Sequence, residues 1–118
     1  MALRESILES VKDYCLVPQE TSVFDGIICE KINSAFFTLF EMGCSKLPFT
    51  VTSNEEEWTD FTDNPIVLSV LPDYIQQKAK LGFDPPSNSF LVNQMKDDIK
   101  ELESRISYAV DPGWEVES

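Results

Sequence analysis

Four stretches of this chain place apolar residues at spacings of three and four, and each stretch has its own start or stop signal. A sequence so divided folds as separate helices packed on one another, because an apolar stripe has to be covered by another element. The first stretch carries Leu3, Ile7, Leu8 and Val11, with Arg4, Glu5, Glu9 and Lys12 between them, and stops before Pro18. The second opens at Thr21 or Ser22, where Ser22-Val23-Phe24-Asp25 resembles a capping box with aspartate in the place of glutamate. Phe24, Ile27, Ile28, Ile32, Ala35, Phe36 and Leu39 then form one broad apolar face up to Gly43, a residue suited to a left-handed C-terminal position. This pattern predicts the longest buried helix of the chain. The third stretch opens at Asn64-Pro65, a cap followed by proline at the first helical position, and runs through Val67, Val70, Leu71, Tyr74, Ile75 and Ala79 to the stop at Asp84-Pro85-Pro86. Pro72 lies inside it, cannot bond to the carbonyl of Leu68, and predicts either a kink or a break into two short helices. The fourth, capped by Ser87 or Asn88, sets Leu91, Met95, Ile99, Leu102 and Ile106 in a narrow stripe, with Asp97 and Lys100, and Glu101 and Arg105, at helical pairing distance. Such a stripe suits a helix on the outside of a bundle or one packed against a neighbouring subunit.

Between the second and third stretches, from Ser45 to Asp63, the helical period disappears. Phe49-Thr50-Val51-Thr52 alternates as a short strand would, or is simply extended, and Glu55-Glu56-Glu57 is followed by Trp58, Asp60, Phe61 and Asp63; this interleaving of acidic and aromatic residues reads as a solvated loop anchored to the core by Trp58 and Phe61, or as a protein-binding loop. The expected fold is therefore all-α: a small four-helix bundle with helices near residues 3–16, 22–43, 64–83 and 88–109, a long acidic loop between the second and third, and an extended C-terminal tail. Residues 1–110 read as the helical domain and 111–118 as the tail. In that tail Asp111-Pro112-Gly113 ends the helix, and Trp114 and Val116 alternate with Glu115 and Glu117, so an extended peptide presents two apolar side chains on one face.

Chemistry is hard to place on such a chain. It has 118 residues and no histidine, which removes the usual general base, the commonest metal ligand and the partner of most serine and cysteine nucleophiles. There is no glycine-rich phosphate loop, and Cys15, Cys29 and Cys44 are too far apart for a paired metal motif and read as reduced core thiols. No catalytic, cofactor-binding or metal-binding residues are expected, and the chain is not expected to be an enzyme. Nine basic against twenty-one acidic residues give a net charge of -12, which repels nucleic acid and anionic membranes. No apolar run has the length of a signal peptide or a membrane span, so a soluble, non-secreted protein is expected.

The order of its short motifs is more informative. Phe24-Asp25 through Ile32-Asn33, Ala35-Phe36 and Leu39 to Gly43, then Trp58-Thr59-Asp60-Phe61, then Phe83-Asp84-Pro85-Pro86-Ser87 and the helix through Glu101-Leu102-Glu103, together resemble the head-tail connector proteins of long-tailed bacteriophages, also called adaptor or head-completion proteins. The resemblance spans about residues 3–112, and Pro72 and Cys44-Ser45 depart from the family pattern. It implies a structural virion protein of the neck, at the head-tail interface, assembled in the bacterial host cytoplasm. A ring of identical subunits, usually twelve, would sit under the portal protein, extend the DNA channel and meet a stopper or tail-terminator protein, with DNA passing through without specific binding. An acidic intracellular regulator or DNA mimic that binds a basic partner is the alternative the charge allows.

On the connector reading, Glu55, Glu56, Glu57, Asp60 and Asp63 are candidates for the channel wall or its rim, where like charge keeps phosphates from sticking. Trp58, Phe61, Met95 and Arg105 are the candidates for contacts between subunits. Pro112, Trp114 and Val116 are the candidates for docking on the portal or an adjacent subunit, since tryptophan is enriched at binding hot spots and related connectors grip the portal with their C-terminal segments.

Overall fold

The computed structural model describes residues 4–45 and 47–110. Five helices occur in it: α1 (Ile7–Tyr14), α2 (Asp25–Glu41), α3 (Trp58–Phe61), α4 (Pro65–Phe83) and α5 (Ser89–Val110). The described residues contain no strand, so the fold is all-α; an isolated bridge joins Ser6 to Glu57. The alternating run at Phe49–Thr52 finds a different partner. The Asn33 side chain on α2 donates to the Val51 carbonyl (3.0 Å) and accepts from the Val51 N–H (2.7 Å), satisfying both backbone groups as a strand neighbour would.

Helix α4 is the centre of the molecule and packs against each of the other four. It buries Val67, Leu71, Pro72, Tyr74, Ile75, Gln77 and Ala79. The expectation that the second stretch would form the longest buried helix is corrected: α2 has 17 residues and α4 has 19. The apolar face of α2 is also narrower than its sequence suggests. Ile28, Ile32, Ala35, Phe36 and Leu39 are buried, whereas Ile27, about 100° round the helix from Ile28, faces solvent.

Pro72 does not break α4, which continues through it. A proline in a helix interior costs about 3 kcal/mol, but burying a side chain such as Val67, Leu71 or Ile75 yields about 1.5–3 kcal/mol. Several such residues flank Pro72 on both sides, so packing keeps the two halves in one helix.

The expected start signals operate at two helices. Asn64 Oδ1 accepts from the N–H groups of Ile66 (2.9 Å) and Val67 (3.3 Å), and Asn88 Oδ1 accepts from Phe90 (2.7 Å) and Leu91 (3.3 Å). The capping box expected at Ser22 does not form. Helix α2 begins three residues later behind Phe24, and Asp25 is turned to Lys12 on α1 at 2.9 Å instead. Lys12 is 3% exposed and also donates to the carbonyls of Gln19 (3.0 Å) and Thr21 (2.6 Å), so this ammonium group closes the α1–α2 connection.

Helix α1 is shorter than its pattern, starting after the Ser6 cap and ending at Tyr14. Its end is a left-handed turn: the Leu16 N–H donates to the Asp13 carbonyl (3.1 Å), and the Val17 N–H donates to the Lys12 carbonyl (2.8 Å). Leu16 holds the left-handed position with φ 62°, although it is not glycine and is 87% exposed. Gly43 holds the equivalent position after α2 with φ 85°. A left-handed leucine costs roughly 1–2 kcal/mol, partly offset in a glycine variant by the greater freedom of its unfolded chain. Leu16→Gly should therefore raise stability by up to about 1 kcal/mol in urea unfolding; a loss of stability would show that the Leu16 side chain holds the subunit together.

Helices α4 and α5 form an antiparallel pair. Tyr74 Oη donates to Glu103 Oε2 (2.9 Å) across it, and Asn64 Nδ2 donates to the Ala109 carbonyl (3.5 Å) at one end. Helix α5 buries Ile99, Leu102 and Ile106 of its expected stripe, whereas Met95 is half-buried and Leu91, like Phe90, stays exposed. Its Glu101–Arg105 pair forms at 2.8 Å, and the Asp97–Lys100 pair does not form among the described residues.

Candidate interaction surfaces

The acidic segment is anchored on the core by its aromatic residues. Three rings hold it to the core: Phe49 and Phe61 each lie 4.9 Å from Phe36, and 5.5 Å from each other. Trp58 opens α3, is 5% exposed, and donates its indole N–H to the Arg4 carbonyl (3.1 Å). Backbone bonds tie the segment to the start of α1, from Ile7 N to Glu56 O (3.0 Å) and from Trp58 N to Glu5 O (3.3 Å).

The five carboxylates have different surroundings. Glu56 accepts from Ser53 N (3.1 Å) and Thr52 Oγ1 (3.0 Å), and Asp60 accepts from the Glu57 N–H (2.8 Å), so these two shape the turn before α3. Glu55 and Asp63 are exposed, and Glu57 is half-buried. Partial burial pushes the Glu56 carboxyl up, but the hydrogen bonds outweigh it and hold the group below the usual carboxylate range. Burial likewise pushes Asp13 up, and Arg4 Nε at 2.6 Å with Gln19 Nε2 at 2.8 Å brings it below that range.

Both folded-state values are depressed, so both contributions are present above the unfolded pKa, about 4, and disappear as the pH falls through the folded values. The thermal midpoint should thus fall between pH 5 and pH 3, and the fall should be shallower in Glu56→Gln than in the wild type. An acid profile identical in the two proteins would contradict this role for Glu56.

Of the side chains expected between subunits, Trp58 is enclosed by its own subunit and Phe61 is half-buried against Phe36 and Phe49. Met95 is half-buried and Arg105 exposed, both on α5. Pro112, Trp114 and Val116 lie outside the described residues.

Sequence reasoning missed two apolar patches at opposite ends of the molecule. At one end Leu16 follows α1 and Val23 precedes α2, 87% and 76% exposed, beside the edge-to-face pair of Phe24 and Phe83, whose rings are 5.6 Å apart. At the other, Ile66 and Val70 of α4 and Tyr108 and Ala109 of α5 line an open groove of about 680 Å³. The available signal was an apolar residue lying off the core stripe of its own helix, as Ile66 does beside Val67 and Tyr108 beside Ile106.

Burial raises the pKa of Cys15, Cys29 and Cys44, the wrong direction for a nucleophile. Among the described residues no group of acidic or cysteine side chains is placed to hold a metal ion. No helix among them is long and apolar enough to cross a membrane.

Residues 7–113 match the family model described as phage connector protein. No curated protein and no solved structure matches the chain.

Proposed function

Since this chain belongs to the phage connector protein family, a structural family of the phage virion neck, we propose that it is the subunit of a closed ring, usually of twelve copies, seated beneath the portal protein. The ring extends the DNA channel and offers the stopper or tail-terminator protein its platform. The observation that carries this reading is the pair of unlike apolar patches at the two ends of an acidic subunit. A twofold dimer uses one patch against itself, whereas two different patches support head-to-tail contacts, which close into a ring when the rotation permits. Met95 and Arg105 on the outer helix remain candidates for the lateral contact.

The acidic segment lines the channel or its rim. With a net charge of -12 the chain repels DNA phosphates, and a wall that passes DNA must not bind it. The C-terminal segment, with Trp114, Val116 and Pro112, is the attachment element toward the portal or an adjacent subunit.

Light scattering on the purified protein, alone and after mixing with portal-bearing heads, tests the assembly. Isolated subunits should be monomeric or polydisperse, and the heads should retain several copies each. A stable twofold dimer that ignores the heads, and instead binds a basic protein in a salt-sensitive way, would replace the connector reading with that of an acidic regulator.

A further inference from the structure

Leu16 combines two features that its own subunit does not explain. It holds a left-handed position, φ 62°, where glycine or asparagine is the favoured residue, and its side chain is 87% exposed, so no burial within the subunit offsets the strain. The turn that carries it is also fixed. The buried Lys12 ammonium group holds the carbonyls of Gln19 (3.0 Å) and Thr21 (2.6 Å), and the Val17 N–H donates to the Lys12 carbonyl (2.8 Å). Leu16 and the exposed Val23 therefore project from a pre-organised connection, which lowers the ordering cost of placing them in a partner.

The opposite end of α4 carries the converse shape. Ile66 and Val70 form one wall of the α4–α5 groove and Tyr108 and Ala109 the other, around about 680 Å³. Single exposed apolar side chains are ordinary, but a continuous apolar groove marks a binding surface.

Charge indicates what fills it. An exposed ion pair lies at each end: Glu101–Arg105 (2.8 Å) at the groove rim, and Lys80–Asp84 (3.6 Å) beside the Leu16 turn, where both charges act on the Cys15 thiol. Each pair is neutral, so in a chain of net charge -12 these two ends are places where copies can meet with little repulsion. The pairs are also complementary. Arg105 can meet Asp84 or the exposed Glu20 of another copy, and Lys80 can meet its Glu101.

We propose that Leu16, with Val23 beside it, is an anchor that enters the α4–α5 groove of a second copy of this chain. This deepens the assembly reading above and rests on it, because it assigns which surface of one subunit meets which surface of the next. It also makes the left-handed leucine a feature kept for assembly against the stability of the isolated subunit.

The test uses two charge-neutral variants of the full chain. Leu16→Asn suits the left-handed position and removes the projection, whereas Ile66→Gln with Tyr108→Gln removes the exposed walls of the groove. All three side chains are exposed, so helix content should match the wild type, and the urea midpoint of Leu16→Asn should be equal or higher. In sedimentation at about 1 mM protein and about 0.15 M salt, the wild type should associate beyond the dimer. Each variant alone should associate at least about tenfold more weakly. An equal mixture of the two should form one-to-one dimers that grow no further, because one intact groove and one intact Leu16 remain to join them. A monomeric wild type, a variant that associates like the wild type, or a mixture that stays monomeric overturns the proposal. Retention on portal-bearing heads is scored separately. One-to-one dimers in the mixture without retention of the wild type sink the connector reading alone, and wild-type retention with a monomeric mixture sinks this contact alone. Loss of retention in the groove variant, with its self-association intact, assigns the groove to the portal and also overturns the proposal.

Discussion

Phe36→Ala should destabilise the protein by about 3–5 kcal/mol, the range for emptying a fully buried aromatic site. Phe36 is completely buried and is the one ring that touches both Phe49 and Phe61, each at 4.9 Å. Removing it leaves a cavity and takes away the ring contacts of Phe49 and Phe61 with α2, leaving the Asn33–Val51 hydrogen bonds to hold that segment. A domain of this size has about 5–15 kcal/mol in total, so the variant should be partly unfolded at 37 °C. Phe37, its neighbour in sequence, is half exposed, and Phe37→Ala should cost about 1 kcal/mol or less. Urea unfolding of both variants checks the contrast, and equal losses would contradict the packing described.

The second large effect belongs to Lys12. Its ammonium group donates to two carbonyls and faces Asp25 Oδ1, and the α1–α2 connection bends around it. Lys12→Met keeps the aliphatic stem but leaves the carbonyls of Gln19 and Thr21 and the Asp25 carboxylate without their cation. Removing one partner of a buried pair costs about 3–5 kcal/mol; because Asp25 is about one-third exposed, the expected loss is nearer 3 kcal/mol. A change below about 1 kcal/mol would mean that water replaces the ammonium group at all three oxygens.

The four long helices were legible because each has a local signal. Asn64-Pro65 and Asn88 place helix starts without reference to the rest of the fold, and Gly43 marks an end. The sequence reading went astray where the tertiary partner decided. Lys12 looked like an exposed helix residue and is instead the buried centre of a turn; Asp25 looked like half of a capping box and pairs with Lys12. Leu16 ends α1 in a conformation that no composition rule assigns to leucine. Val51 has its backbone bonds completed by the side chain of Asn33, eighteen residues away, which local alternation cannot distinguish from a strand. The interaction surfaces were the least legible part. Trp58 and Phe61, read as anchors of the acidic loop on the core and also as candidates for subunit contacts, are buried and half-buried as anchors, while the exposed apolar residues Leu16, Val23, Ile66 and Tyr108 carry no motif.

Electron cryomicroscopy of the assembled virion neck tests the central claim most directly. The account predicts a closed ring of this chain in contact with the portal, with unlike apolar ends of neighbouring subunits facing each other and the segment from Glu55 to Asp63 at the lumen or its rim. A twofold dimer, a single copy per particle, or a lumen lined by Lys78 and Lys80 with the acidic segment directed radially outward would contradict it.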